Sequence, residues 1–218
     1  MNLLEYGRIL WRRGWIMVLL AVIAAASAYF LSSRQTPIYR STQLVLIQPS
    51  RNDLGLTEAT TRLMESYVVY LNSSDRAQEV INTLNLDMLA RDLQGKATIA
   101  ANRNNLTVQI DIDLPDGELA NDVARTWGNL LVQYRTAENQ TVRQEDRIDA
   151  LLPDAARYRL LQPNILINTL AGAIIGFLLG GILVFVLEYL ESSVVRRRED
   201  IERQLELPVL ATIPHTDR

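Results

Sequence analysis

Between Ile165 and Leu187 the chain runs for 23 residues without a charge. At about 1.5 Å per helical residue such a run extends about 35 Å, more than the roughly 30 Å of bilayer hydrocarbon. It is read as a transmembrane helix, residues 164–188, and not as the buried helix of a soluble core. From Leu187 onward the sequence is LEYLESSVVRRREDIERQLELPVLATIPHTDR, in which residues 189–218 form a short charged tail.

A second apolar run, Trp15 to Leu31, is uncharged over 17 residues, with Trp11, Trp15 and Tyr29 as aromatic residues suited to the headgroup region. A cleaved signal peptide is the rival reading, since Ala26, Ser27 and Ala28 resemble a processing site behind Arg8, Arg12 and Arg13. Against it, the apolar run continues past that site. Arg8, Arg12 and Arg13 precede the first span, and Arg196, Arg197, Arg198 and Arg203 come after the second. Arg34 and Arg40, then Arg147, Arg157 and Arg159, stand on the other side, so the excess of basic residues puts both termini in the cytoplasm by a modest margin. The expected layout is a cytoplasmic segment 1–14, span 15–31, an extracytoplasmic domain 32–163, span 164–188 and cytoplasmic tail 189–218. The fold class is α+β: two transmembrane helices flanking a small α/β domain with a long helix.

Composition narrows the chemistry. The chain has no cysteine, hence no disulfide, thiol nucleophile or thiolate metal site. Its one histidine, His215, lies near the C-terminus, where a solvated imidazole is the ordinary role. No glycine-rich loop ends in Lys and Ser or Thr, so there is no Walker-type phosphate cradle. A net charge of -3 advertises no nucleic-acid partner. An enzyme is not expected, nor are a catalytic residue, cofactor or metal.

Within 32–163 the apolar period changes repeatedly. TQLVLIQ, Thr42 to Gln48, is short, β-branched and closed by Pro49, and predicts a strand. Leu63, Tyr67, Val68 and Leu71 predict the face of one helix, and Ala77, Val80, Ile81 and Leu84 that of a second beginning near Ser74. Lys96 to Ala101 and Leu106 to Asp113 alternate around Asn102–Asn105 and predict a hairpin. After Pro115, Asp116 and Gly117 a long helix starts near Glu118. Ala120, Val123, Ala124, Trp127, Leu130, Leu131 and Tyr134 form its core face, with Trp127 packing on the hairpin. Thr136 to Gln144 is polar, so the helix is expected to leave the sheet there. Ile148, Leu151 and Leu152 predict a short returning strand before Pro153.

Gly172, Gly176 and Gly180 are four apart, on one face of the second span, where a helix backbone can approach closely. Ala24, Ala25, Ser27 and Ala28 offer a matching small surface, on the same or a neighbouring chain. In the tail, Arg196, Arg197 and Arg198 can set topology or meet anionic headgroups. Beyond them Leu207, Pro208, Val209, Leu210, Ile213 and Pro214 frame an apolar segment that so few residues cannot bury by themselves.

The order of parts resembles the chain-length-determinant (Wzz-type) family, the polysaccharide co-polymerases, in the short form that accompanies bacterial tyrosine kinases. The matching pieces are LLEYGRILWRRGW, TPIYRSTQLVLI, DLPDGELANDVARTWGNLLVQY, Pro163, the glycines of the second span, and EYLESSVVRRREDIERQLELPVLATIP. Only Pro153 and Pro163 stand before the second span, where the family has several prolines. The central domain is also too short for the coiled-coil tower of enterobacterial members. The resemblance implies a non-catalytic scaffold in the bacterial inner membrane that forms homo-oligomers with polysaccharide polymerase or export machinery. It also implies that the tail segment docks on a tyrosine kinase, expected as a separate polypeptide because the sequence stops at Arg218. Two other classes remain, a membrane-anchored ligand sensor and a structural envelope protein. For the latter, the sequons at Asn72, Asn105 and Asn139 would permit a glycosylated surface chain.

Overall fold

A computed structural model describes residues 3–51 and 53–192. The elements in chain order are α1 (Leu3–Ser33), β1 (Ile38–Pro49), α2 (Leu54–Leu71), α3 (Ser74–Leu84), α4 (Ala90–Gly95), β2 (Ala97–Asn102), β3 (Thr107–Leu114) and α5 (Gly117–Asn139). A 3-10 turn (Gln144–Asp146), β4 (Ile148–Leu151), β5 (Arg157–Gln162) and α6 (Ile165–Ser192) complete it. The chain divides into two compact units, one containing α1 and α6 and the other spanning Gln35–Asn164. It is a mixed α and β protein with two helices long and apolar enough to cross a bilayer, Trp11–Ser33 within α1 and Ile165–Glu191 within α6.

In the central unit β1 is the organising strand. It pairs antiparallel with β3 along its length, Tyr39 opposite Leu114 through Leu46 opposite Thr107, and β3 pairs with the edge strand β2. Alternation along β1 buries Ser41, Gln43, Val45 and Ile47, while Val108, Ile110, Ile112 and Leu114 of β3 do the same. These meet α5 through Ala120, Val123, Ala124, Trp127 and Leu131, all fully buried. Asp116 caps α5, its carboxylate accepting from the amides of Glu118 and Leu119. Trp127 is the centre of the core, and its indole N–H donates to the carbonyl of Leu71 at the end of α2 (2.9 Å).

Four local expectations need correction. The buried face of α2 is Thr60, Met64, Tyr67 and Leu71, spaced by four, three and four, so Leu63 turns outward. The helix α5 does not leave the sheet at Thr136: Arg135 and Asn139 are buried at and beyond that point. Arg135 Nε and Asn139 Nδ2 both donate to the carbonyl of Ile148 (3.0 Å each), and Asn139 Oδ1 accepts from the Ile148 amide (3.2 Å). These side chains secure β4 as an additional strand would, which apolar periodicity cannot register. The short helix α4, anchored by Leu93, was not expected.

The fourth correction concerns β5. Both β4 and β5 pair with β1, Leu46–Pro49 against Leu151–Ile148 and Ile38–Thr42 against Gln162–Arg157. Between them residues 152–156 stand opposite 43–45, five against three, so the returning strand bows out once. The buried Gln43 reaches into the bow, its Nε2 donating to the carbonyl of Asp154 (2.8 Å). Only the first half of this strand was legible, because RYRLLQ carries two arginines and lies between prolines.

The other face of the sheet is polar. Arg40 makes a two-pronged pair with its cross-strand neighbour Asp113 (2.7 and 2.6 Å), which holds the guanidinium firmly protonated. Beside it Thr42 donates to Asp111 (2.6 Å), which also accepts from Gln109 (2.9 Å). At the start of α2 the Leu56 amide bonds to the carboxylate of Asp53 and lowers its pKa. Burial raises that of the Tyr67 phenol.

Candidate functional site

The helices α1 and α6 lie antiparallel and meet along the glycine face. A Cβ added at Gly172 would stand 2.7 Å from Ala28 Cβ; one at Gly176, 2.6 Å from both Ala24 Cβ and the Leu20 carbonyl oxygen; one at Gly180, 2.7 Å from Met17 Cα. Real Cβ atoms do not tolerate such distances, and two of these obstacles are backbone. Glycine at these three positions is therefore what lets the two main chains touch. Within the single chain this face is occupied by α1.

Both ends of the seam carry polar contacts that apolar periodicity does not announce. At one end Asn168 Nδ2 donates to Ser32 Oγ (2.8 Å), and Ser32 is buried. An amide in hydrocarbon is costly unless satisfied, so this bond selects one register for the pair. At the other end Arg12 and Arg13 meet Glu188 and Glu191. Arg12 Nη2 lies 3.0 Å from Glu191 Oε2 and 3.8 Å from Glu188 Oε2, and Arg13 Nε lies 3.7 Å from Glu188 Oε2. Arg13 also pairs with Glu191 through Nη2. Two signals in the sequence could have revealed these contacts: a lone Asn in an apolar run, and opposite charges at the outer ends of two spans of similar length.

The remaining predicted residues, Arg196, Arg197, Arg198, Leu207, Pro208, Val209, Leu210, Ile213 and Pro214, lie outside the described residues, as does His215. Glu188 and Glu191 are the charges of α6 nearest to that tail among the described residues. In the central unit no group of His, Cys, Asp and Glu among the described residues has the geometry to hold a metal. Its grooves are shallow: one of about 250 Å³ is lined by Ile38, Lys96, Asp113, Pro115 and Gln162, and its carboxylate is already engaged by Arg40.

Residues 1–84 match the family model for "Chain length determinant protein". The chain is 25% identical over 228 residues to "Capsular polysaccharide biosynthesis protein CpsC" of Streptococcus pneumoniae, covering all of this chain and 95% of that protein. It is 26% identical over 208 residues to "Probable capsular polysaccharide biosynthesis protein YwqC" of Bacillus subtilis, covering 91% of this chain and 81% of that one. A CpsC of Streptococcus agalactiae is 25% identical over 227 residues, again across all of this chain. The resemblance to the chain-length-determinant family is thereby borne out, and with the two spans it makes this a membrane protein.

Proposed function

We propose that this chain-length-determinant-type protein is a non-catalytic membrane scaffold of polysaccharide biosynthesis. It sets the chain length or the export of a capsule, exopolysaccharide or O-antigen. The observation that carries this reading is the match to capsular polysaccharide biosynthesis proteins CpsC over all of this chain, which includes both spans and the tail and not the central unit alone. The helix pair supports it too, because a small α/β unit joined to two packed spans is suited to holding partners together at a bilayer. In this reading both termini are cytoplasmic, the central unit is extracytoplasmic, and copies assemble as homo-oligomers beside a polymerase or exporter. Deleting the protein and sizing the surface polysaccharide tests the role directly: the length distribution should shift, and an unaltered distribution removes it.

The tail extends the same reading. The segment Leu207 to Pro214, with Arg196–Arg198 at the membrane exit, docks on a cytoplasmic tyrosine kinase, in one geometry by adding a strand to the kinase's sheet. What supports this is an apolar segment framed by prolines directly after a charged stretch. Recovery of the kinase with the full chain, lost when residues 207–218 are deleted, is the expected result. Equal recovery without them refutes the docking and leaves the scaffold role standing.

A further inference from the structure

The edge strand β5 has an unusual composition for its position. Arg157 and Arg159 point to one face and are exposed, while Tyr158 and Leu160, on the other, are 42% and 53% exposed. Arg159 lies directly across from Arg40 and Arg157 across from Thr42. Like charges in opposed positions destabilise a sheet, and the carboxylate of Asp113, cross-strand from Arg40 on β3, is already engaged by Arg40. Neither Arg157 nor Arg159 has an ion-pair partner among the described residues. Tyr39 packs edge-on against Tyr158 (centroids 5.6 Å apart), placing a second aromatic beside this strand.

We infer that β5 is a membrane-surface contact whose partner is the anionic headgroup layer of the bilayer holding α1 and α6. Guanidinium forks match phosphate, and long arginines reach for it while their stems cover apolar surface. The covalent chain adds a bound of its own. Only Pro163 and Asn164 separate β5 from α6, and the six steps from Arg159 to Ile165 reach at most about 20 Å. Arginines on an edge strand also deter strand pairing between molecules, but for that purpose charge of either sign suffices. The sign of the charge therefore separates the two roles. The inference rests on α1 and α6 spanning the membrane and not on any role in polysaccharide synthesis.

The chain has no cysteine, so a single one can be placed at will. The full protein carrying Leu160→Cys with a fluorophore is set in nanodiscs containing a headgroup-quencher lipid, with Thr98→Cys on β2 as the reference position. Quenching at 160 should be several-fold stronger in phosphatidylglycerol discs than in phosphatidylcholine discs. The double variant Arg157→Glu, Arg159→Glu should lower it on the order of tenfold in apparent lipid affinity, whereas Arg157→Lys, Arg159→Lys should keep most of it. High salt applied to the unsubstituted arginines should reproduce the loss, so a misfolded Glu variant leaves the test intact. Equal quenching in the two lipids overturns the inference, as does retention of quenching in the folded Glu variant. So does stronger protection of the probe by a soluble acidic oligosaccharide than by phosphatidylglycerol, which would assign the surface to a glycan.

Discussion

Where α6 meets α1 the closest approaches are made at Gly172, Gly176 and Gly180, residues without side chains. Where α5 meets the sheet, the fit is made by Trp127, fully buried and the largest residue of the core. The contrast comes from solvent. Water drives bulky apolar groups of the central unit together at about 25 cal/mol per Å² buried, whereas lipid tails are as apolar as leucine and supply no such drive. Close backbone contact and polar bonds must do that work in the helix pair, which is why Ser32–Asn168 and the Arg12, Arg13, Glu188, Glu191 cluster stand at its ends.

Substitutions in the central unit should have the largest effects. Trp127→Ala should cost about 3–5 kcal/mol and orphan the Leu71 carbonyl, read as a lower unfolding midpoint of the full chain in detergent. The α1–α6 distance between spin labels at Leu19 and Ile182 should not change. Asn139→Ala should cost about 1–3 kcal/mol, since it strips the Ile148 amide of its side-chain partner and leaves the carbonyl to Arg135 alone, with faster hydrogen exchange at β4 as the readout.

The helix pair should respond in the reverse sense. Gly176→Leu overpacks the seam at a cost of about 1–3 kcal/mol, widening the distance between those two labels while the central unit's midpoint holds. Light scattering then decides a further point. A fall in oligomer mass means that the glycine face also serves assembly; an unchanged mass assigns it to the single chain. The smallest effect is expected from Glu188→Gln with Glu191→Gln. Both carboxylates are partly exposed, so the loss is under about 1 kcal/mol, seen as salt-insensitive label distances where the parent is salt-sensitive.

Legibility in the sequence divides along the same line. Strong periods declared α5 and the β2–β3 hairpin, because each buries one repeating face, while both spans were declared by the length of their uncharged apolar runs. The glycines declared a packing surface, yet whether their partner was α1 of the same chain or of a neighbour depended on tertiary placement that spacing does not encode. The strand β5 stayed hidden because its arginines answer to something other than the core. The far end of α5 was misread because Arg135 and Asn139 are buried by hydrogen bonding to Ile148, and burial by bonding leaves no apolar signature. Spacing puts Leu63 on the inner face of α2 as readily as Met64, because both are apolar, and only tertiary packing buries Met64 and leaves Leu63 outside.

The seam between α1 and α6 touches at Ala28, Ala24 and Met17 in turn, and is held at both ends. Contacts so distributed act like the teeth of a rack. A piston stroke of one helix past the other would drive each glycine onto a side chain and part Asn168 from Ser32 at once. Sliding of either helix alone along the seam is thereby opposed at every contact, so a displacement of one helix must carry the other with it.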